Sequence, residues 1–122
     1  MLSNAERQYL ETALWSSVNP ESGEPLDNDY RPEDIDDKRR AELLSDLADF
    51  LADNADDLAL AGIDDERAAH LFWLNRNGHG AGFWDAIPSG DVATDAALNR
   101  LSMASKVYGG VDLLPLGDGK VG

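Results

Sequence analysis

The sequence predicts an α+β fold, with N-terminal helices packed against a small antiparallel β-sheet made of a hairpin and, after one more helix, an edge strand. Apolar residues at three- and four-residue spacing between capping residues mark helices over residues 3–69 and 92–108. Leu71-Phe72-Trp73-Leu74-Asn75-Arg76-Asn77-Gly78-His79-Gly80-Ala81-Gly82-Phe83-Trp84-Asp85 marks the hairpin, because bulky residues flank a glycine-rich turn. With 122 residues, the chain suits one domain spanning 1–122 rather than two independent cores.

Taken in order, Ser3-x-x-Glu6 is a capping box that starts the first helix, with Tyr9, Leu10, Ala13 and Leu14 facing inward. Asn19-Pro20 ends it, and residues 19–31 form a loop. Asp27-Asn28-Asp29 is not a calcium loop, since Pro32 and Lys38 stand where glycine and glutamate are required. Pro32 is expected in the first turn of a second helix, with Asp34–Lys38 and Asp36–Arg40 as supporting pairs. Leu43, Leu44, Leu47, Phe50 and Leu51 form its apolar stripe, Asn54 breaks the run, and Gly62 closes the next helix.

Asp64 or Asp65 caps a short helix over 65–69 that gives way to strand near His70, in a hairpin spanning 70–86. Its register sets Trp73 opposite Trp84 and puts Phe72, Leu74 and Phe83 on the other face. The competing reading continues the helix through Ala68, Ala69, Phe72, Trp73 and Arg76. Asp91 or Thr94 starts the last helix, Gly109-Gly110 ends it, and 111–116 reads as an edge strand curtailed by Pro115. Beyond the Gly117-Asp118-Gly119 turn the last residues are expected to be loose.

Charge is the dominant global feature. There are 24 acidic residues against 10 basic, a formal net charge of −14. Such a surface repels nucleic acid and anionic membranes and speeds encounter with basic proteins, so no direct nucleic-acid or membrane partner is expected. Solubility in a saline host would produce the same bias. Without cysteine there are no disulfides or thiolate metal sites. No apolar run reaches the length of a membrane span, and no signal-peptide pattern is present. A cytoplasmic protein is expected, either a monomer or a small homo-oligomer.

Catalytic chemistry has little support. His79 lies among glycines beside Arg76 and Asn77, with no second histidine nearby in sequence and no G-x-S-x-G elbow. Gly78-x-Gly80-x-Gly82 lacks the Lys-Ser/Thr of a phosphate loop, and no H-E-x-x-H spacing occurs. No catalytic residue, metal site or cofactor is expected. A repeated pattern does stand out. Glu42, Asp46, Asp49, Asp53 and then Asp56 or Asp57 recur at three- and four-residue spacing on one helical face, a carboxylate every ~5–6 Å.

The aromatic stretch resembles a family of small phage and mobile-element proteins. Their core reads aspartate-phenylalanine-tryptophan-leucine-threonine-arginine-asparagine-glycine-histidine-glycine-alanine-glycine-phenylalanine-tryptophan-aspartate. Leu71 and Asn75 are the departures here, and Leu114-Pro115-Leu116 replaces a smoother strand downstream. Tyr108-Gly109-Gly110-Val111-Asp112-Leu113 and Gly117-Asp118-Gly119-Lys120 resemble the family's closing strand and turn. The similarity covers roughly the last half of the chain and implies viral or mobile-element provenance, with no activity to carry over.

Small size, that provenance, the net charge and the acidic row converge on one expectation. The protein would be a non-enzymatic inhibitor of a host defence or DNA-binding complex, of the anti-restriction or anti-CRISPR kind, working partly by DNA mimicry. Glu42, Asp46, Asp49, Asp53, Asp56 and Asp57 would meet a basic surface of a host or phage complex, with Trp73, Arg76, Asn77, His79 and Trp84 of the hairpin adding specificity. The alternative is an accessory protein docking through that hairpin.

Overall fold

A computed structural model of the chain describes residues 2–79, 83 and 91–122. The described residues form five α-helices: α1 (Asn4–Ser16), α2 (Asp37–Asp53), α3 (Ala55–Ala61), α4 (Asp65–Arg76) and α5 (Val92–Lys106). Short 3₁₀ turns at Leu26–Asn28 and Pro32–Asp34 join α1 to α2. α4 is the central element, packed against both α1 and α5, while α5 also packs on α3. Among the described residues there is no β-strand, so the fold is mostly helical and not α+β.

Helix ends follow from local chemistry. Ser3 and Glu6 form the reciprocal capping box of α1. Asp64 and Asp91 cap α4 and α5 by accepting backbone N–H groups that the first turn leaves unpaired. α2 starts later than expected. Pro32 opens a 3₁₀ turn instead, and Asp36 caps α2 through the Arg39 amide. The expected Asp34–Lys38 and Asp36–Arg40 pairs do not form, because Asp34 accepts the Arg31 amide and Arg40 pairs with Asp37 at 2.8 Å. The Arg40 Nη1 is turned back onto the carbonyls of Pro32, Glu33 and Ile35.

The hairpin over 70–86 is overturned in its first arm, where residues 70–76 belong to α4. Asn77-Gly78-His79 is the helix's Schellman cap. The His79 amide donates to Leu74 O at 2.8 Å and the Gly78 amide to Asn75 O at 3.2 Å, with Gly78 at φ 72°. The second arm, Phe83 excepted, lies outside the described residues. The strand over 111–116 is replaced by a narrow ribbon. Leu114 and Gly122 exchange backbone hydrogen bonds, Pro115 bridges Val121, and Val121 in turn bridges Ile35. Val121 is fully buried, so the end of the chain is tied down rather than loose.

The core is aromatic. Phe72 stacks on Phe50 at 4.2 Å and on Tyr9 at 5.4 Å, and Phe50 stacks on Phe83 at 5.8 Å. Tyr9 also meets Trp73 edge-on at 5.5 Å. Phe72 and Trp73, adjacent in sequence, are both interior because α4 packs against α1, α2 and α5.

Candidate partner-binding face

α2 presents Leu43, Leu47 and Phe50 to the core, and the same periodicity turns its acids outward. The acids differ in what neutralises them. Glu42 pairs with Arg39 at 3.6 Å, and Asp57 takes a two-pronged contact from Arg100 of α5 at 2.7–3.1 Å. Asp46 faces inward enough to hold Arg76 at 3.0 Å. Asp49, Asp53 and Asp56 are exposed and have no ion pair among the described residues. Like charges at this spacing cost a helix roughly 0.2–0.5 kcal/mol per pair, so the middle of the row opposes stability.

Tyr108 borders this face, packing edge-on against Phe50 and Phe72. Its hydroxyl pKa is raised, first by burial and then by the negative charges of Asp53, Asp49 and Asp46, with Arg76 acting in the opposite sense. The phenol thus stays neutral beside the carboxylates. Neither Tyr108 nor Arg100 is marked by the sequence as belonging here, because no local spacing ties residues 100 and 108 to α2.

Arg76, expected at an interface, is an internal hub with its side chain 2% exposed. Nε donates to Gly109 O, Nη2 to Tyr108 O, and Nη1 to both Tyr9 Oη and Asp46 Oδ2, all at 2.8–3.0 Å. The guanidinium also lies 5.4 Å from the Phe72 ring centre and 5.7 Å from that of Tyr108, within cation–π range. Trp73 is buried, its indole N–H given to Ser16 Oγ at 2.7 Å. Asn77 is a latch: its amide donates to Trp73 O and its carbonyl accepts the Val111 amide at 2.7 Å. His79 is exposed, and Trp84 lies outside the described residues. Trp73 and Arg76 are therefore buried and hold the fold together, while Asn77 is half-buried and lines a cleft with His79.

No family model, curated protein or solved structure matches the chain. Among the described residues, no three His, Asp or Glu side chains gather as around a metal ion, and no helix is long and apolar enough to cross a membrane.

Proposed function

We propose that the protein is a non-enzymatic inhibitor of a host defence or DNA-binding complex, of phage or mobile-element provenance, and that it covers a basic surface with the α2–α3 acidic face. The supporting observation is the set of carboxylates Asp49 and Asp53 at the end of α2 and Asp56 at the start of α3. It is exposed and uncompensated, while its neighbours Glu42, Asp46 and Asp57 are each paired. A helix-borne carboxylate every ~5–6 Å is sparser than one phosphate per ~3.4 Å of a DNA strand, so the mimicry is partial. Tyr108 supplies an aromatic edge to the same face.

The decisive variant reverses Asp49, Asp53 and Asp56 to lysine and spares Asp46, which the core needs. Wild-type protein should capture a nuclease or DNA-binding complex from host lysate, and both salt and duplex DNA should release it. The triple variant should fold normally and neither capture nor inhibit that complex. Undiminished inhibition by the triple variant rejects this function.

A further inference from the structure

A cleft of about 400 Å³ lies away from the α2 face, between α1, α4 and the turns that precede α2, with Glu11, Thr12, Trp15, Asp27, Tyr30 and His70 on its walls. Thr12, almost fully buried, sets its chemistry. The Thr12 hydroxyl has one proton, which it donates to Gln8 O at 2.8 Å, and it accepts from Gln8 Nε2 at 3.0 Å. The remaining contact, 2.8 Å to His70 Nδ1, must then be donated by the ring. His70 is held as the Nδ1–H tautomer, which leaves Nε2 as an acceptor. Burial, and secondarily the charge of Arg67, lower the imidazole pKa and keep the ring neutral at neutral pH.

The rest of the cleft matches that acceptor. The Trp15 indole is 53% exposed, an unusual position for tryptophan, and its ring centre lies 6.2 Å from that of His70. Tyr30 adds a second, half-buried ring, and Glu11 and Asp27 are exposed carboxylates. Arg31 also lines the cleft and contributes one positive charge against the two carboxylates. An anion would meet two carboxylates and a net charge of −14. A flat cation rich in N–H groups meets the Trp15 stacking surface and the acceptors of His70, Glu11 and Asp27, with Arg31 and Gln8 as the donors also on the walls.

We propose that this cleft is a receptor for a guanidinium group, the side chain of an arginine on a partner protein, stacked on Trp15 and donating to His70 Nε2 and to the carboxylates of Glu11 and Asp27. Arginine suits the site better than lysine because its plane stacks and its donors fan out in that plane. The site is independent of the α2 face, and its binding does not rest on the inhibitor function.

The test is an NMR titration of the whole chain with N-acetyl-arginine amide, observing the imidazole and indole nitrogens. The expected result is a free-protein His70 with Nδ1 protonated, followed by saturable shifts at His70 and at the Trp15 indole. N-acetyl-lysine amide should bind more weakly. Trp15→Ala should weaken arginine binding by about fivefold or more, and the Glu11→Gln/Asp27→Asn double variant should weaken it too, with the remaining spectrum unchanged. The Asp49, Asp53 and Asp56 reversals should leave it intact, which separates this site from the inhibitory face. Non-saturable shifts, equal binding of the lysine compound, or unaltered binding by Trp15→Ala in a folded spectrum would each overturn the assignment.

Discussion

Arg76 concentrates more structure than any other described side chain, since it joins α1 through Tyr9, α2 through Asp46 and the segment after α5 through two carbonyls. Removing one partner of a buried ion pair costs more than the pair contributes, because the other partner is left desolvated. Arg76→Ala should therefore lower stability by about 3 kcal/mol in urea denaturation. Asp46→Asn should cost less, about 1–2 kcal/mol, because the amide oxygen can still accept from Arg76 and the guanidinium keeps its bonds to Tyr9, Tyr108 and Gly109. A loss for Arg76→Ala no larger than that for Asp46→Asn would show that the hub is not what joins these elements. Tyr9 adds a pH dependence. Burial, outweighing the favourable Arg76 charge, pushes its hydroxyl from 10.0 to about 12. The folded state then keeps a proton that the unfolded state loses, so this contribution is complete below pH 10.0 and is lost as pH rises towards about 12. The loss amounts to roughly 2–3 kcal/mol. Urea midpoints should fall across that window, and Tyr9→Phe should flatten the decline. The sequence displays Arg76 but not its burial, which only the 3.6-residue period of α4 produces.

α4 is the element the sequence describes least well. Its buried residues include Ala68, Ala69, Leu71, Phe72, Trp73, Asn75 and Arg76, covering almost every side of the helix, so no amphipathic stripe separates it from a buried strand. Asn77-Gly78 fits a tight hairpin turn and a Schellman cap equally well, since both require a left-handed residue. α1 and α5 were legible because each pairs a capping residue with a one-sided stripe, Ser3 with Tyr9, Leu10 and Ala13 in α1 and Asp91 with Ala97, Leu98 and Leu101 in α5. Within the candidate face the sequence shows the spacing of the acids. It does not show which are neutralised, because Arg76 and Arg100 arrive from distant elements. Gly78 tests the cap directly. A methyl group there meets nothing within 4 Å, so Gly78→Ala pays only for its φ of 72°. The expected loss is about 1–2 kcal/mol by thermal or urea unfolding. A neutral substitution would mean the cap is not left-handed in solution.

For the whole molecule, the excess of acid sets two salt responses of opposite sign. Repulsion among like charges opposes compactness, so added salt should raise the melting temperature of the free protein from its low-salt value. The same screening should weaken capture of a basic partner. Measuring both over one salt series distinguishes a working acidic face from a merely soluble one. If capture is insensitive to salt while stability rises, charge serves the protein's own solubility and partner recognition lies elsewhere. The C-terminal ribbon belongs to this scale as well, because Val121 pairs with a segment that begins at Asp34, far away in sequence. Gly117 and Lys120 resemble a loose tail when read locally, and only the distant partner makes them part of the fold.

The latch at Asn77 also governs how the protein ages. An asparagine followed by glycine is the dipeptide most prone to spontaneous deamidation, since the next amide nitrogen attacks the side-chain carbonyl. Here both ends of that carboxamide are held, by Trp73 O and the Val111 amide, and the Gly78 nitrogen is committed to Asn75 O. Folding should therefore protect this bond, and the rate at which Asn77 turns acidic in storage would serve as a slow clock of how often the end of α4 comes open.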